Sequence, residues 1–414
     1  MTPARAHRIR PNVTLGLLAV AHAVNHAQAV LLPLIFIKII EEFGVTAESI
    51  AFLSALGSIS AGLVQLTFAD LTRRMPRRLI MGVGGLLFGT AFALQGAATS
   101  FATFAVTNVA SRIGGAPQHP VGNALLAEQF PPERRGMAIS AHIAGGNVGT
   151  VVAGVLGAAL IGVLGWRGVS VLFGVPAAII ALAILRWVRE TGEDRVAAIA
   201  EGSVRSGLRT IWRDPTIRRI YLASIFGGGG RGLGTANLFA LIYLTQVLLL
   251  PDSVTSVMYA GLVILSVPMP LVAGWLSDRL GRRPVIIGAY VGGAVGFLAF
   301  IAAGSSLVGL WIGLVIMGLF SFAESPQLQA LLADVVSTPL RDVTFAVYFT
   351  LAFGVGSLWV ALYGAIIQVL GEGSGLPVVF VLMAVSFLAA GVIMWPVQGP
   401  LPGPVPEVEP VESV

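Results

Sequence analysis

Cysteine is absent from this 414-residue chain, which excludes disulfides, thiolate catalysis and cysteine-ligated metals. Lysine is nearly absent as well, because all but one of the 25 basic residues are arginine, a composition typical of a GC-rich bacterial genome. Charged residues make up 11% of the chain, against roughly 25% in a soluble domain. Hydrophobic residues make up 56%, and a soluble fold of this size would not keep so apolar a surface in water. The composition therefore predicts an integral membrane protein.

Apolar stretches fill most of the sequence, and each is about as long as the 20 residues that a bilayer-crossing helix needs. We expect an all-α integral membrane protein with twelve transmembrane helices in two pseudo-symmetric six-helix halves. The predicted spans are residues 13–40, 50–69, 79–98, 101–127, 138–164, 169–188, 217–250, 254–276, 285–303, 307–333, 344–370 and 376–395.

The chain divides near its middle. We expect a first half over residues 1–188, a cytoplasmic linker over 189–216, a second half over 217–395 and a disordered cytoplasmic tail over 396–414. The linker mixes arginines with acidic residues, which favours a short amphipathic helix on the membrane surface.

Arginine is concentrated in alternate loops and in the linker, whereas the opposite loops carry little beyond Lys38 and Arg167. This positive-inside pattern predicts a multi-pass protein of the bacterial cytoplasmic (inner) membrane with both termini in the cytoplasm. The net charge of +5 then reports topology and not nucleic-acid binding. A cleaved signal peptide ending near Ala23 is the rival interpretation, but the apolar run continues to Ile40, and cleavage would break the loop-charge alternation.

An acidic-basic loop occurs at the same place in both halves. Residues 274–284 read GWLSDRLGRRP after the eighth span, and residues 69–78 read ADLTRRMPRR after the second. An aspartate at a helix end can pair with arginines and with the N-terminus of a neighbouring helix, and so hold one arrangement of the halves. The candidate gating residues are Asp70, Arg74, Asp278, Arg279, Arg282 and Arg283. The alternative interpretation is that the arginines of these loops only set the membrane topology and have no gating role.

The loop G-x-x-x-D-R-x-G-R-R, the twelve spans and the repeated halves together resemble the major facilitator superfamily. The resemblance covers essentially the whole chain and implies two six-helix halves that rock around a central substrate site. The first copy of the loop departs from the pattern, since Leu66 and Arg73 stand where glycines are expected.

Ionisable side chains inside the bilayer are costly, so each is a functional candidate. In the first span, His22, Asn25 and His26 fall on one helical face, which should line the interior. Histidine changes charge near neutral pH, which suits proton coupling. A hydrogen-bonded packing cluster is the alternative.

The fourth and fifth spans add further polar candidates. Arg112 lies midway through the fourth span, where a guanidinium needs a carboxylate, a carbonyl or an anionic substrate, and His119 and Asn123 share a face beyond it. Asn147 lies near mid-depth in the fifth span. The repeated small residues of that span predict a smooth ridge for close helix packing: Gly145, Gly149, Ala153 and Gly157.

The second half contributes Arg231, Asn237 and Glu324. Four successive glycines, 227–230, precede Arg231 and favour a hinge or an unwound segment that lines a cavity. Arg112 and Arg231 could present positive charge from both halves to one anion, and two separate structural arginines are the alternative. Glu324 precedes Pro326 and is expected to pair with an arginine or to carry a proton.

Several short segments in the first half resemble the fosmidomycin-resistance branch of the superfamily. The segments are HPVGN at 119–123, FPPERRG at 130–136, GGNVG at 145–149, and His22 and His26 followed by Pro33. The resemblance implies proton-driven export of a small anionic or amphiphilic compound. The Gly-Pro pair common in the fifth span of drug antiporters is absent, so proton-coupled import of an organic anion is the alternative.

Other functional classes lack support in the sequence. No convergent catalytic set or phosphate-binding loop is present, and the five histidines lack a tight metal-ligand spacing. We therefore expect no enzyme activity, no cofactor and no metal. The expected partners are a small-molecule substrate, protons and the lipid bilayer, and the expected state is a monomer. A non-transporting membrane sensor is the remaining alternative.

Overall fold

The computed structural model describes residues 9–398, and every regular element in that range is helical. The predicted disordered tail lies almost wholly outside the described residues. The α-helices are Pro11–Phe43, Ala47–Arg74, Arg77–Gln95, Phe101–Gly115, Pro120–Gln129, Pro132–Trp187, Glu193–Glu201, Val204–Arg213, Pro215–Gly227, Asn237–Ile242, Asp252–Ile264, Pro268–Leu280, Arg282–Ala302, Leu307–Ser321, Glu324–Val335, Arg341–Phe349 and Ser357–Met394.

These helices build the predicted twelve spans. Eight helical stretches within the described residues are long and apolar enough to cross a bilayer, and the two longest contain 56 and 57 residues. Each of these two makes two crossings, because its helical geometry fails at Gly165 (φ 66°) or Gly371 (φ 75°). A positive φ favours glycine, so these residues allow the sharp turns between spans five and six and between spans eleven and twelve.

Broken helices account for the two remaining spans, four and seven, and span ten is broken as well; span seven is interrupted at Gly228–Gly230 and Gly232–Ala236. Span four is interrupted by the 3₁₀ turn Ala116–Gln118 and resumes at Pro120. Span ten is also interrupted, by a turn between Ser321 and Glu324. Spans four and ten occupy equivalent places in the two halves, so both halves carry a break in the same helix. Such breaks inside a bilayer are tolerated where they line a cavity.

The predicted small-residue ridge is present between spans one and five. A methyl group built on Gly149 would lie 1.8 Å from the carbonyl oxygen of Ala23, and one on Gly145 would lie 2.7 Å from that of Ala19. The two backbones therefore touch along this line, as small residues permit in membrane helices. On the outside, large apolar side chains such as Val163 (83% exposed) and Val369 (82%) form the surface that lipid covers.

The linker contains two short helices, Glu193–Glu201 and Val204–Arg213, where the sequence predicted one amphipathic helix. Ser203 caps the second helix by accepting a hydrogen bond from the Ser206 amide. Ile211 on that helix is fully buried. The linker is therefore packed against the spans along this face.

Candidate functional site

The arginine-rich ends of the two halves are joined by ion pairs. Arg77, at the start of span three, makes a two-point contact with Asp342 of the second half, with Nε–Oδ1 and Nη2–Oδ2 distances of 2.8 Å each. The same guanidinium contacts Glu128 at 2.8 Å and Asp194 of the linker at 2.9 Å. Arg77 is 3% exposed, so these carboxylates replace most of its water. A bidentate arginine–carboxylate pair is both strong and directional.

Glu190 fixes the helix that carries Arg77. Its carboxylate accepts hydrogen bonds from the Arg77 amide (3.1 Å) and the Arg78 amide (3.0 Å), which begin span three. Burial raises the pKa of the Glu190 carboxyl, although these amides and the Arg77 charge oppose the rise. The linker thereby positions the arginine that reaches the second half.

The second-half loop meets the first half as the repeated motif predicted. Asp278 accepts hydrogen bonds from the amides of Gly136 (3.0 Å) and Met137 (2.9 Å), in the first turns of the helix that forms span five. Arg282 pairs with Asp278 and donates to the carbonyl oxygen of Pro132 at 2.6 Å. Arg282 also contacts Asp334, at 2.9 Å. This side chain therefore connects three elements.

The other predicted gating residues lie outside this network. Asp70 and Arg74 pair with each other at 2.7 Å, but their side chains are 51% and 71% exposed. The Arg279 guanidinium lies over Trp275 and that of Arg283 over Trp395, at 3.8 and 5.3 Å from the ring centres. The first-half copy thus makes a local contact, which agrees with its departure from the motif.

The gating candidates did not include the residues that bridge the halves at this end, although the sequence places Asp334 and Asp342 near the cytoplasmic boundary, where a loop network is expected. The bridging residues are Arg77 with Asp342 and Arg135 with Asp334, the second pair at 2.9 Å. Among residues 9–398, these are the ion pairs that join first half to second. Arg77 lies within the quoted loop segment 69–78, and its position there was the available signal.

A cavity of about 160 Å³ lies between the halves, away from the ion pairs. The first half contributes three histidines and Asn147 to its wall, and the second half contributes Arg231, the broken part of span ten and aromatic residues of span eleven. The polar residues lining it are His22, His26, His119, Asn147, Arg231, Ser321, Ser325, Gln329 and Tyr348. Polar groups at the interface of two repeats are typical of transporter substrate sites.

The unwound segment predicted around the glycine run is present and positions Arg231. Residues Gly228–Gly230 form a 3₁₀ turn, Arg231 is not helical (ψ 129°), and Gly234 has φ 102°. The Arg231 Nε donates to Glu324 Oε1 at 2.9 Å. Glu324 is fully buried, and Tyr290 donates a hydrogen bond to its other oxygen at 3.3 Å. The predicted pairing of Glu324 with an arginine is therefore observed.

Arg112 lies in a different cavity. A space of about 350 Å³ within the first half is lined by Arg112 and the amides of Asn25, Gln28, Gln65, Gln95 and Asn108. The Arg112 side chain donates to Ser58 at 3.2 Å, and no ion pair joins it to a carboxylate within the described residues. Arg112 and Arg231 are thus not placed together around one central cavity, contrary to the arrangement that the sequence suggested for a shared anion. His119 touches both cavities.

The candidate asparagines have separate roles. Asn123 donates to Gln329 of span ten, and Asn147 donates to the carbonyl oxygen of Ser266 in span eight at 2.6 Å, so both connect the halves. Asn237 contacts Tyr259 at 3.2 Å within the second half and does not line either cavity. Asn25 lines the cavity within the first half.

Curated relatives of the chain are transporters. It is 27% identical over 244 residues to the probable L-galactonate transporter of Escherichia coli, a match covering 58% of this chain and 54% of that protein. It is 26% identical over 393 residues to the gallate transporter of Pseudomonas putida, covering 85% of this chain and 84% of that protein. These relatives are named as transporters of organic acids and not as drug exporters. They therefore do not support the predicted membership of the fosmidomycin-resistance branch.

Solved transporters share the fold. The proton:xylose symporter XylE superposes with a TM-score of 0.74 at 13% identity, covering 92% of this chain and 94% of that one. FucP in its outward conformation gives a TM-score of 0.77 at 14% identity, covering 93% and 97%. The family profile matches residues 18–235 and 225–413, which is nearly the whole chain. With its twelve spans in two halves, the chain belongs to the Major Facilitator Superfamily and is a transporter and not an enzyme.

Proposed function

We propose that this protein is a secondary active transporter that takes up a small organic anion together with protons. The observation that carries the proposal is the Arg231–Glu324 pair at the cavity between the halves. A guanidinium held there by a carboxylate is suited to exchange that partner for a substrate carboxylate.

Glu324 supplies the coupling in this proposal. When Glu324 takes up a proton, it no longer holds Arg231 as an ion pair, and the substrate anion becomes the partner of the arginine. When the proton leaves, the internal pair forms again and the substrate is released. Proton and anion therefore bind together and leave together, which is the condition for symport.

Alternating access supplies the movement. The ion pairs of Arg77 and Arg135 support a state closed at the arginine-rich end, which we assign to the cytoplasm on the loop charges. Breaking these pairs while the opposite ends of the halves approach would expose the cavity to the cytoplasm. We propose that the protein does this as a monomer in the bacterial cytoplasmic membrane, with both termini inside.

The relatives support the substrate class. Proteins named as transporters of L-galactonate, gallate and 4-hydroxybenzoate act on organic acids, which favours a carboxylate as the substrate. Export is the second candidate, because the segments 119–123 and 145–149 resemble fosmidomycin-resistance exporters. An anionic substrate is compatible with both directions, whereas an amphiphilic one belongs to the export hypothesis alone.

Proteoliposomes containing the purified protein test the proposal. An inward proton gradient should drive accumulation of at least one labelled acid from a panel of galactonate, gallate, 4-hydroxybenzoate and nicotinate. The same acid should carry protons inward when it is added without a gradient. In everted bacterial vesicles energised by respiration, compound-dependent loss of the proton gradient with fosmidomycin, and not with these acids, would instead establish export. Failure of every compound in both systems, with folded protein, would overturn the transport proposal.

A further inference from the structure

Three histidines from two spans meet at one wall of the central cavity. His22 and His26 are one helical turn apart in span one, and His119 stands at the break in span four. Ring centres lie 4.5 Å apart for His22 and His26 and 4.7 Å apart for His22 and His119. One ring nitrogen of each residue lies within 4.8 Å of the corresponding nitrogens of the other two. The cluster thus places one ring nitrogen of each histidine around a common space.

Neighbouring groups orient two of the rings. The Nδ1 atom of His22 is 2.8 Å from the carbonyl oxygen of His142, and that of His26 is 3.1 Å from Thr150 Oγ1. A carbonyl oxygen can only accept, so His22 carries its proton on Nδ1 and has a bare Nε2. That buried Nε2 has no hydrogen-bond partner. Metal-binding histidines are commonly fixed in this way, with one nitrogen held by an oxygen and the other facing the ion.

We propose that His22, His26 and His119 form a binding site for a divalent transition metal such as Zn²⁺, Co²⁺ or Ni²⁺. Neutral imidazole suits these ions, whereas Mg²⁺ and Ca²⁺ prefer oxygen ligands, and the cluster contains no carboxylate. Three protein ligands leave a fourth position open, as in catalytic zinc sites. All three histidines line the cavity to which Arg231 contributes from the opposite half.

Small movements would complete the coordination. Tetrahedral bonds of about 2.0–2.1 Å place ligand nitrogens about 3.3 Å apart, closer than the 4.8 Å limit observed. The terminal torsion of histidine has a broad energy profile, so the rings can turn inward at little cost. A purely structural cluster would leave the His22 Nε2 buried without a partner, which costs free energy because the nitrogen has lost its hydrogen bond to water. A bound cation removes that cost.

Metal binding by the full-length, detergent-purified chain with its affinity tag removed tests the site. His7 lies outside the described residues, so every protein carries His7→Gln. Titration calorimetry with Zn²⁺ should give one ion per chain, and Co²⁺ should give the visible absorption of a tetrahedral or five-coordinate site. His26→Gln and His119→Gln should each weaken Zn²⁺ binding about 100-fold or more. Thr150→Val, which removes only the orienting oxygen, should weaken it about 10-fold or more.

His142→Gln is the matched control. The His142 ring stacks on His22 with centres 4.4 Å apart, but it does not belong to the trio, and the substitution keeps the carbonyl oxygen that holds His22. Binding should remain within a few-fold of the parent. Metal-free thermal unfolding of each variant checks that the fold is intact.

Absence of Zn²⁺ and Co²⁺ binding to the folded parent, or unchanged binding in His26→Gln and His119→Gln, would overturn the proposal. These measurements use no organic substrate. Their outcome therefore leaves the proposed anion transport to be judged separately.

Discussion

Arg77 and Asp342 face each other across the two halves of the protein and form a two-point ion pair, with both N–O distances at 2.8 Å. Both side chains are largely buried, at 3% and 11% exposure. Removing the Asp342 charge would leave Arg77 paired with Glu128 and Asp194, so the loss would fall on the contact between the halves. The closed arrangement should therefore depend on this contact.

Asp342→Asn should shift the protein toward a state open at the arginine-rich end. The chain contains no cysteine, so a cysteine introduced by Ser325→Cys in the cavity wall is the only site for a maleimide reagent. Labelling of Ser325→Cys from the cytoplasmic side should rise when Asp342→Asn is added. Asp70→Asn is the control, because its exposed pair with Arg74 contributes about 0–1 kcal/mol. Equal labelling in all three proteins would show that the pair does not hold the closed state.

Glu324→Gln should separate substrate exchange from proton coupling. The amide keeps the size of the side chain but cannot release a proton, so Arg231 loses its internal charged partner. We expect counterflow of the substrate between two sides of a membrane to persist, while accumulation driven by a proton gradient falls at least 10-fold. Arg231→Gln should abolish both. Gradient-driven accumulation at the parental rate in Glu324→Gln would remove this residue from the coupling step.

Gly57→Ala should displace Arg112 without unfolding the protein. A methyl group built there would lie 2.3 Å from Cδ of Arg112, and a flexible side chain can move aside. Gly62→Ala, in the same span, meets nothing within 4 Å and is the matched control. If Arg112 acts on the substrate, Gly57→Ala and Arg112→Ala should both weaken binding in an equilibrium assay, and Gly62→Ala should not. If Arg112→Ala bound the substrate with the affinity of the parent protein, Arg112 would not contact the substrate, and its role would be structural within the first half.

Gly149→Ala should destabilise the contact between spans one and five. The added methyl would lie 1.8 Å from a backbone oxygen, so the two helices must move apart, and overpacking of this kind costs about 1–3 kcal/mol. Thermal unfolding in detergent should show a lower midpoint. Gly154→Ala, on the same span with open space around it, should unfold at or above the parental midpoint. The reverse order would contradict the backbone contact.

The sequence by itself determined the class of protein, the approximate spans and the repeat. These follow from local properties: a helix that crosses a bilayer needs a long apolar run, and the loop charges vary with the side of the membrane. It also predicted the Asp278 contact, the unwound glycine run before Arg231 and the packing ridge around Gly149. Each of these depends on a pattern within a short segment.

The tertiary structure decided which distant residues meet. It separated Arg112 from Arg231 into two cavities, paired Arg231 with Glu324 and made Arg77, and not Arg74, the bridge between the halves. It also brought His119 to the His22 and His26 pair, where the spacing along the chain had argued against a metal site. Such pairings depend on how twelve helices rotate and tilt against one another. A membrane helix is similarly apolar on several of its faces, so the sequence does not determine its rotation about its own axis. Close packing of the side chains fixes that rotation.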